Sequence, residues 1–429
     1  MTFVVKLFPA NYVWTAKTCP ESVEGSPDFA RKSGDAATAS LCAAFDSVPD
    51  MFCLHTTLES TRCRGKTLIN YKPQIASKVH TNMGNPLLFA GISLILTLVL
   101  GIPAARLAQR LGIMDVPGSA PHKQHARPTP LAGGILLTAV LLVLIVAFRG
   151  SINTDMLAVS LGAFIVFLFG IWDDHTGLSA GPKLVGQLIA SAILLGFGVQ
   201  VRFVSVLLDP GMTHPLLAQT LNITLTLFWL IGITNAMNLI DSMDGIVAGL
   251  GLIASAFFLG AASLASQPAL AFVAAGLLGI CIGLYFWNAV AVRFFLGDSG
   301  AQTIGFLLAS FGILYNPLNR NPESSWIVPI MLLSVPIFDT TLVVLSRLRR
   351  KQPIGTGRRD HTFHRFIMLG IKPRYAVFAV HLMAVVIGGL AFFTLYLDPS
   401  SALTIFLAAI LAGVGFLLWL QRKPSLDDK

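Results

Sequence analysis

Acidic residues next to glycine recur in three short segments of the chain. The segments read WDDHTG at 172–177, NLIDSMDG at 238–245 and FLGDSG at 295–300. Short carboxylate side chains supply the oxygen ligands of a hydrated Mg²⁺ that also holds phosphates, and glycine lets a backbone approach a ligand closely. The three segments therefore indicate a site for a divalent cation and phosphate groups.

Cationic and imidazole side chains lie in two further segments. HKQHARPTPLAGG at 122–134 and GRRDHTFHR at 357–365 combine Lys or Arg with His. Such groups neutralise phosphate oxygens, and positioning with charge neutralisation supplies most of the catalysis in phosphoryl transfer. Together the five segments predict an enzyme that transfers a phosphoryl group.

The composition places these segments on a membrane protein. Of 429 residues, 54% are hydrophobic and 12% are charged, whereas a soluble globular chain carries about 25% charged residues. A water-soluble enzyme, a disordered scaffold and a disulfide-stapled module are therefore excluded. The five cysteines form no CxxC pair and no spacing typical of metal ligands.

Eleven apolar segments of membrane-spanning length follow residue 83. A membrane helix needs about 20 mostly apolar residues. The segments are 86–105, 131–148, 156–172, 184–200, 219–235, 246–265, 268–287, 300–316, 326–345, 374–396 and 401–420. We therefore expect an all-α polytopic membrane protein with about eleven transmembrane helices, ten being the alternative count.

The charge distribution orients these helices. The predicted loops on one side, with the C-terminal tail and with Arg374 at a helix edge, hold 18 Lys and Arg, against three on the other side. Cytoplasmic loops carry the excess of Lys and Arg, so we expect an N-terminus outside, a C-terminus in the cytoplasm and the acidic segments in a cytoplasmic active-site groove. The net charge of +9 then follows from topology and contact with anionic lipids, and it does not require a nucleic acid.

Residues 1–82 differ in composition from the rest of the chain. They hold nine of the 30 Lys and Arg and seven of the 21 acids, without helical or strand periodicity. They also lack the pattern of a signal peptide. We expect this segment to be disordered, or absent because translation starts at Met83, with a folded extra domain as the alternative. The membrane-embedded transferase domain is then 83–421, followed by a cytoplasmic tail at 422–429.

In this order, the five segments resemble the motifs of the polyprenyl-phosphate N-acetylhexosamine-1-phosphate transferases, glycosyltransferase family 4. They are HKQHARPTPLAGG at 122–134, DDHTGLS at 173–179, NAMNLIDSMDG at 235–245, FLGDSG at 295–300 and RDHTFHR at 359–365. The resemblance implies transfer of a sugar 1-phosphate from a UDP-sugar to a polyprenyl phosphate, release of UMP and a need for Mg²⁺ or Mn²⁺. It further implies a bacterial cytoplasmic membrane enzyme with ten or eleven spans, and it allows a homodimer.

The same resemblance assigns roles to individual residues. Asp173 and Asp174 are expected to be catalytic carboxylates, and Asp298 and Asp173 are expected to bind the metal. The residues expected to contact the nucleotide sugar are Asn238, Asp241, Asp244 and Lys123. Those expected to bind the pyrophosphate or the sugar are His361, His364 and Arg365. One aspartate of the pair can act as a base toward the lipid phosphate or form a covalent aspartyl-phosphate, and the sequence leaves both open.

Two residues depart from the family pattern. Arg365 follows His364 where some relatives carry adjacent histidines, and Ser242 stands where glycine is common. The DHTFHR form is closer to the branch that uses UDP-N-acetylglucosamine and undecaprenyl phosphate than to the phospho-N-acetylmuramoyl-pentapeptide transferases, which are the alternative. A secondary transporter is more remote, because transporters place ionisable residues near the middle of the bilayer, whereas these acids lie at one face.

Several of these acids also have a structural explanation. Asp173 and Asp174 can form a solvated helix end, and Asp298 can cap the helix that follows it. Asp339 lies inside the ninth apolar segment, where an acid marks either a functional site or a pair with a neighbouring helix.

Overall fold

The computed structural model of the protein describes residues 38–42, 53–63, 66–71, 85–117, 127–149, 153–204, 215–317, 325–352 and 360–422. The chain divides into two units, Met1–Asn82 and Met83–Lys429. In the first unit the strands β1 (Thr38–Cys42), β2 (Cys53–Cys63) and β3 (Lys66–Tyr71) pair antiparallel in chain order. The sequence pattern did not predict these strands. That translation starts at Met83 stays a prediction.

The second unit is a bundle of α-helices. The helices are α1 Pro86–Arg110, α2 Gly133–Ala147, α3 Thr154–Thr176, α4 Ala180–Gly196, α5 Pro215–Ile240, α6 Ile246–Leu264, α7 Pro268–Tyr285, α8 Gly297–Leu314, α9 Ile327–Leu332, α10 Ser334–Arg349, α11 Thr362–Met368, α12 Pro373–Thr394 and α13 Pro399–Gln421. A π-helical turn, Phe286–Val290, continues α7. Two short strands, β4 (Met114–Asp115) and β5 (Thr129–Pro130), pair antiparallel between α1 and α2.

Seven of the described helices are long and apolar enough to cross a membrane. They are Pro86–Arg110, Thr154–Thr176, Leu216–Ile240, Ile246–Leu264, Pro268–Val290, Pro373–Thr394 and Pro399–Gln421. The helices α2 and α4 are apolar but shorter. The prediction of an all-α polytopic membrane protein is confirmed for the second unit, whereas the count of eleven spans, the sides of the two termini and the groove stay predictions.

The predicted apolar segments coincide with helices, but the ninth one is divided. Residues 326–345 contain α9 and α10, which meet at Leu333. Pro336 in the first turn of α10 has no N–H to donate to the carbonyl of Leu332. A continuous helix would therefore lose a hydrogen bond at this position, and the chain breaks there into two helices.

Helix α8 lies at the centre of the bundle. Every residue from Ser299 to Phe311 is buried, and the helix packs against α3 and α5. A Cβ on Gly162 of α3 would lie 2.6 Å from the Phe306 ring, and one on Gly305 would lie 3.0 Å from the backbone of α5. Small residues let membrane helices approach closely, so the glycines fix how α3 and α5 flank α8.

Candidate active site

Four of the five motifs meet where helix ends gather on one side of the bundle. Asp173 lies in the last turn of α3, and α4 begins three residues after the Gly177 that ends α3. Helix α5 ends at Ile240 and α8 begins at Gly297. Because α3 and α5 enter this side while α4 and α8 leave it, their polar residues lie next to one another.

Lys183 joins two motifs that are far apart in the sequence. Its ammonium forms ion pairs with Asp173 and with Asp298, the latter at 2.7 Å from Nζ to Oδ2. Burial alone lowers the pKa of Lys183, but the negative charges of Asp298 and Asp173 outweigh it and raise the pKa. Lys183 therefore stays charged at neutral pH. The sequence did not single it out, although it is the sole cation of the loop at 173–183.

Asp173 and Asp174 are adjacent but have different partners. Asp173 is buried, and its Oδ1 accepts a hydrogen bond of 2.6 Å from the backbone N–H of Leu178. Asp174 accepts bonds from the backbone N–H groups of Asp298 and Ser299, at 2.7 and 3.2 Å, and another from the Ser299 hydroxyl. Asp173 thus faces Lys183, whereas Asp174 faces the start of α8.

Asp174 supplies the N-terminal cap of α8. The first N–H groups of a helix have no partner within it, and a negative charge is favoured there. Gly297 makes the contact possible, because its φ is +75° and a Cβ would lie 2.7 Å from a carboxylate oxygen of Asp174. The sequence analysis assigned this cap to Asp298, whereas Asp174 of α3 provides it. The Asp298 carboxylate instead forms an ion pair with Lys183.

The glycines that end the first motif pack against this same turn. Leu131 bridges Phe295 in parallel orientation, and the N–H of Gly134 donates to the carbonyl of Leu296 at 3.2 Å. A Cβ on Gly134 would overlap the Ser299 hydroxyl, and one on Gly170 of α3 would overlap the Ser299 backbone. The turn that carries Asp298 is therefore enclosed by backbone on two sides.

The end of α5 contributes the third motif. The Asn238 side chain lies near the Asp298 carboxylate and helps to lower the pKa of that carboxyl, after the larger effect of Lys183. Burial raises the pKa of Asp241 well above its usual range, and the negative charges of Asp298 and Asp174 raise it further. Asp244 is exposed and adds its charge to the same group. The structure thus brings these predicted residues together with the DD and GDSG segments.

Asn288 holds the third and fourth motifs to each other. It lies buried in the π-helical turn, and its Oδ1 accepts a 2.6 Å bond from the N–H of Gly245. Its Nδ2 donates to the carbonyl of Phe294 at 3.2 Å. Gly245 has a φ of +80°, which a side chain would disfavour. The sequence did not single out Asn288.

Three amide side chains, of which Gln187 and Gln302 are buried, lie one helical turn below the charged residues. Gln187 follows Lys183 by four positions, Gln302 follows Asp298 by four, and Asn235 precedes Asn238 by three. Gln187 donates to Gln302 at 3.1 Å and to Asn235 at 3.3 Å, and it accepts from Asn235 at 2.7 Å. We call these three side chains the amide layer. They tie α4, α5 and α8 together directly beneath the site.

The fifth motif forms its own buried cluster. Nδ1 of His361 lies 2.7 Å from Oδ2 of Asp339, whose Oδ1 accepts a 2.7 Å bond from the N–H of Thr362. Asp360 pairs with Arg347 at 3.2 Å. Asp339 therefore pairs with the segment that begins α11, which agrees with the structural one of its two expected roles.

Arg365 and His364 lie in the same cluster. The Arg365 guanidinium is buried and donates to the carbonyl of Leu420 at 3.1 Å and to the Ser346 hydroxyl at 3.0 Å. His364 is buried beside Phe363, with ring centres 4.1 Å apart. These contacts connect α11 to α10 and α13, and phosphate binding by the motif stays a prediction. Lys123 lies outside the described residues.

The charged group offers oxygen ligands for a metal ion. Within the described residues, no three His, Cys, Asp or Glu side chains are arranged to hold one by themselves. Mg²⁺ is commonly bound through one or two carboxylates, with waters and substrate phosphates completing its shell. Asp173 and Asp298, linked through one ammonium, fit that requirement.

Comparisons with known proteins agree with these motifs. The model of "Glycosyl transferase family 4" matches residues 156–316. The chain is 30% identical over 294 residues to a Bacillus subtilis (strain 168) protein named "Probable undecaprenyl-phosphate N-acetylglucosaminyl 1-phosphate transferase", covering 68% of this chain and 80% of that protein. It is also 30% identical over 362 residues to the "Decaprenyl-phosphate N-acetylglucosaminephosphotransferase" of Mycobacterium tuberculosis (strain CDC 1551 / Oshkosh), covering 76% and 88%.

A second kind of relative is also similar. The "Phospho-N-acetylmuramoyl-pentapeptide-transferase" of Heliobacterium modesticaldum (strain ATCC 51547 / Ice1) is 32% identical over 284 residues, covering 62% of this chain and 85% of that protein. Both kinds of name describe the transfer of a sugar phosphate.

Proposed function

This chain belongs to glycosyl transferase family 4, and we propose that it transfers N-acetylglucosamine 1-phosphate from UDP-N-acetylglucosamine to undecaprenyl phosphate, with release of UMP. The reaction is the first lipid-linked step in the synthesis of a cell-envelope glycan, at the cytoplasmic face of a bacterial membrane. Relatives whose names state N-acetylglucosamine transfer match over 68% and 76% of this chain, and they support this donor. The DHTFHR form of the fifth motif favours it over the pentapeptide-bearing one.

One contact carries the proposal. Lys183 binds Asp298, 115 residues away in the sequence, and also Asp173. The contact places the DD and GDSG motifs side by side at the polar ends of apolar helices. Acids gathered at a membrane boundary are costly unless they are paired, and such groups mark functional sites.

In the proposed reaction, a phosphate oxygen of undecaprenyl phosphate attacks the phosphorus that bears the sugar. The bond from this phosphorus to the bridging oxygen breaks, and UMP leaves with that oxygen. Such transfers depend on in-line positioning and on neutralised charge. In this chain the Lys183 ammonium and the Asn238 amide border the carboxylates where the phosphates are proposed to bind.

Asp173 is the candidate for proton transfer. It is buried and oriented by the Leu178 N–H, so its carboxylate is fixed where a lipid phosphate would lose a proton. Asp174 is bound to three donors at the start of α8, which supports a role in positioning Asp298. A covalent aspartyl-phosphate on Asp173 is the alternative, and trapping by rapid acid quench of labelled protein distinguishes the two.

A divalent cation completes the proposed site. Asp298 and Asp173 would hold Mg²⁺ or Mn²⁺, which neutralises negative charge on the transferred phosphate. The carboxylates of Asp241 and Asp244 lie close enough to add to the negative potential that attracts this cation.

The test is transfer of radiolabel by the purified, detergent-solubilised protein. UDP-N-acetylglucosamine and UDP-N-acetylmuramoyl-pentapeptide are each offered with undecaprenyl phosphate, with Mg²⁺ or with EDTA. We expect labelled lipid from the first donor and only with the metal. We also expect Asp298→Asn to remove this activity without preventing membrane insertion.

Other outcomes would change the proposal in defined ways. Product from the pentapeptide donor alone would keep the reaction and move the protein to peptidoglycan synthesis. Product from neither donor would contradict the proposed substrates and revive a different UDP-sugar or a transporter. Full turnover by Asp298→Asn would refute its part in metal binding.

A further inference from the structure

We propose that Lys183 is a built-in cation, which a divalent metal ion must displace in order to bind between Asp173 and Asp298. This inference rests on the metal site of the proposed function. It assigns to Lys183 a role that the sequence motifs do not contain, because the residue lies between the DD motif and the apolar run of α4.

The ammonium occupies the position where both carboxylates converge. Oδ1 of Asp173 is bound to the N–H of Leu178, and its Oδ2 meets Lys183. Oδ2 of Asp298 is 2.7 Å from the same ammonium. A cation that binds both carboxylates through these oxygens therefore competes with Nζ for the same lone pairs.

The two carboxylates need a cation in the absence of metal. The Asp173 side chain is 4% exposed, and a buried ionised acid is costly unless it is paired. Like charges close together raise this cost, and an opposite charge within a few ångströms reduces it. Lys183 thus stabilises the metal-free protein, and the same attraction opposes metal binding.

The site is open enough for the ammonium to leave. The side chains of Lys183 and Asp298 are 22% and 37% exposed, and Lys183 lies in the first turn of α4 next to exposed residues. A flexible four-carbon stem lets the ammonium move into water by rotation. The Asp173 carboxylate stays bound to the Leu178 N–H, and Asp174 holds the backbone of Asp298.

The experiment measures metal binding and does not depend on turnover. Free Mn²⁺ is followed by electron paramagnetic resonance during titration of the full-length, detergent-solubilised protein without substrates. The variants are Lys183→Met, which removes the charge, Lys183→Arg, which keeps it, and Lys372→Met, which removes an exposed lysine at the start of α12. Lys183→Gln is a second neutral variant, used if Lys183→Met does not elute as a single species.

We expect the Kd for Mn²⁺ to fall at least tenfold in Lys183→Met. Lys183→Arg and Lys372→Met should stay within about twofold of the original protein. An ammonium and a guanidinium both compete, and Lys372 lies on a different helix, at the exposed start of α12. Added salt should narrow the difference, because screening weakens the attraction that Mn²⁺ must overcome.

Three results of the Mn²⁺ titration would overturn the proposal that Lys183 competes with the metal. Unchanged or weaker Mn²⁺ binding in both neutral variants would overturn the proposal, as would an equal gain in Lys372→Met. Absence of Mn²⁺ binding from every variant would also overturn the proposal about Lys183. If the protein nevertheless transferred the sugar phosphate, the proposed function would stand without that proposal. Tighter binding in Lys183→Met, in a protein that transfers neither sugar phosphate, would uphold the inference and reject the proposed substrates.

Discussion

Replacing Gly170 by alanine tests whether the turn that carries Asp298 must lie against α3. A Cβ at this position would overlap the Cα of Ser299 and lie 2.9 Å from its backbone nitrogen. Backbone atoms cannot rotate away, so the start of α8 must retreat by on the order of 1 Å to regain an ordinary separation of about 3.5 Å. The Ser299 N–H bond to Asp174, already 3.2 Å long, would then be lost.

Gly170→Ala changes the free energy of unfolding in two opposing ways, whereas its effect on turnover comes only from the displacement of α8. Overpacking costs about 1–3 kcal/mol, and alanine in place of glycine in a helix returns about 1 kcal/mol. The midpoint of thermal unfolding should therefore fall by a few degrees. A misplacement of about 1 Å in a catalytic group can reduce turnover about a hundredfold, so we expect kcat to fall by about that factor.

Two other glycine substitutions serve as controls. A Cβ on Gly162, also in α3, would meet the side chains of Phe306 and Leu194 rather than backbone. A Cβ on Gly91 of α1 would meet no atom within 4 Å. Gly162→Ala should lower the unfolding midpoint while keeping kcat. Gly91→Ala should also keep kcat, and it should raise the midpoint slightly because alanine favours a helix more than glycine does. Unaltered kcat in Gly170→Ala, or an equal loss in Gly162→Ala, would refute the argument.

Three further predictions concern single features of the chain. Because burial raises the pKa of Asp241, its ionised form destabilises the folded state, and this cost appears as the pH rises above the pKa of the unfolded chain. Asp241→Asn should thus unfold at a higher temperature at pH 8 in EDTA, with the gain vanishing near pH 4; an unchanged midpoint at pH 8 would contradict this. Arg365 bonds Leu420 and Ser346 through two different guanidinium nitrogens, and the single ammonium of Arg365→Lys cannot occupy both positions. The variant should therefore lower the unfolding midpoint with an unchanged KM for the nucleotide sugar, whereas a raised KM alone would indicate substrate contact. A chain that starts at Met83 should retain full transfer activity, and its loss would assign a function to residues 1–82.

The helices and the acidic motifs were predictable because their signals are local. Apolar runs of sufficient length and Asp–Gly segments can be recognised within about 20 residues of sequence. The break between α9 and α10 at Leu333 was missed because Pro329 and Pro336 lie within one continuous apolar run of sequence. The strands of the first unit carry no alternating pattern strong enough to have been recognised.

The contacts that build the site were not predictable, because they join distant helices. In the sequence, Lys183 looks like an ordinary loop cation, and only the folded bundle shows that α8 places Asp298 beside it. The cap of α8 was assigned to Asp298 by its position in the sequence, whereas Asp174 provides it from α3. The polar residues Gln187 and Gln302 look like isolated interruptions of apolar runs, and their mutual bond of 3.1 Å exists only in the assembled bundle.

The amide layer also places uncharged polar groups directly beside the charged site. Chains of Asp, Glu and His relay protons through membrane proteins. Gln187, Asn235 and Gln302 form hydrogen bonds but carry no charge at any physiological pH. A membrane potential acts on each mobile charge with about 2.3 kcal/mol per 100 mV, and these three amides offer it no charge to move. The helices that carry Lys183, Asn238 and Asp298 are thus joined by neutral hydrogen bonds, which do not weaken when the charge of the site changes.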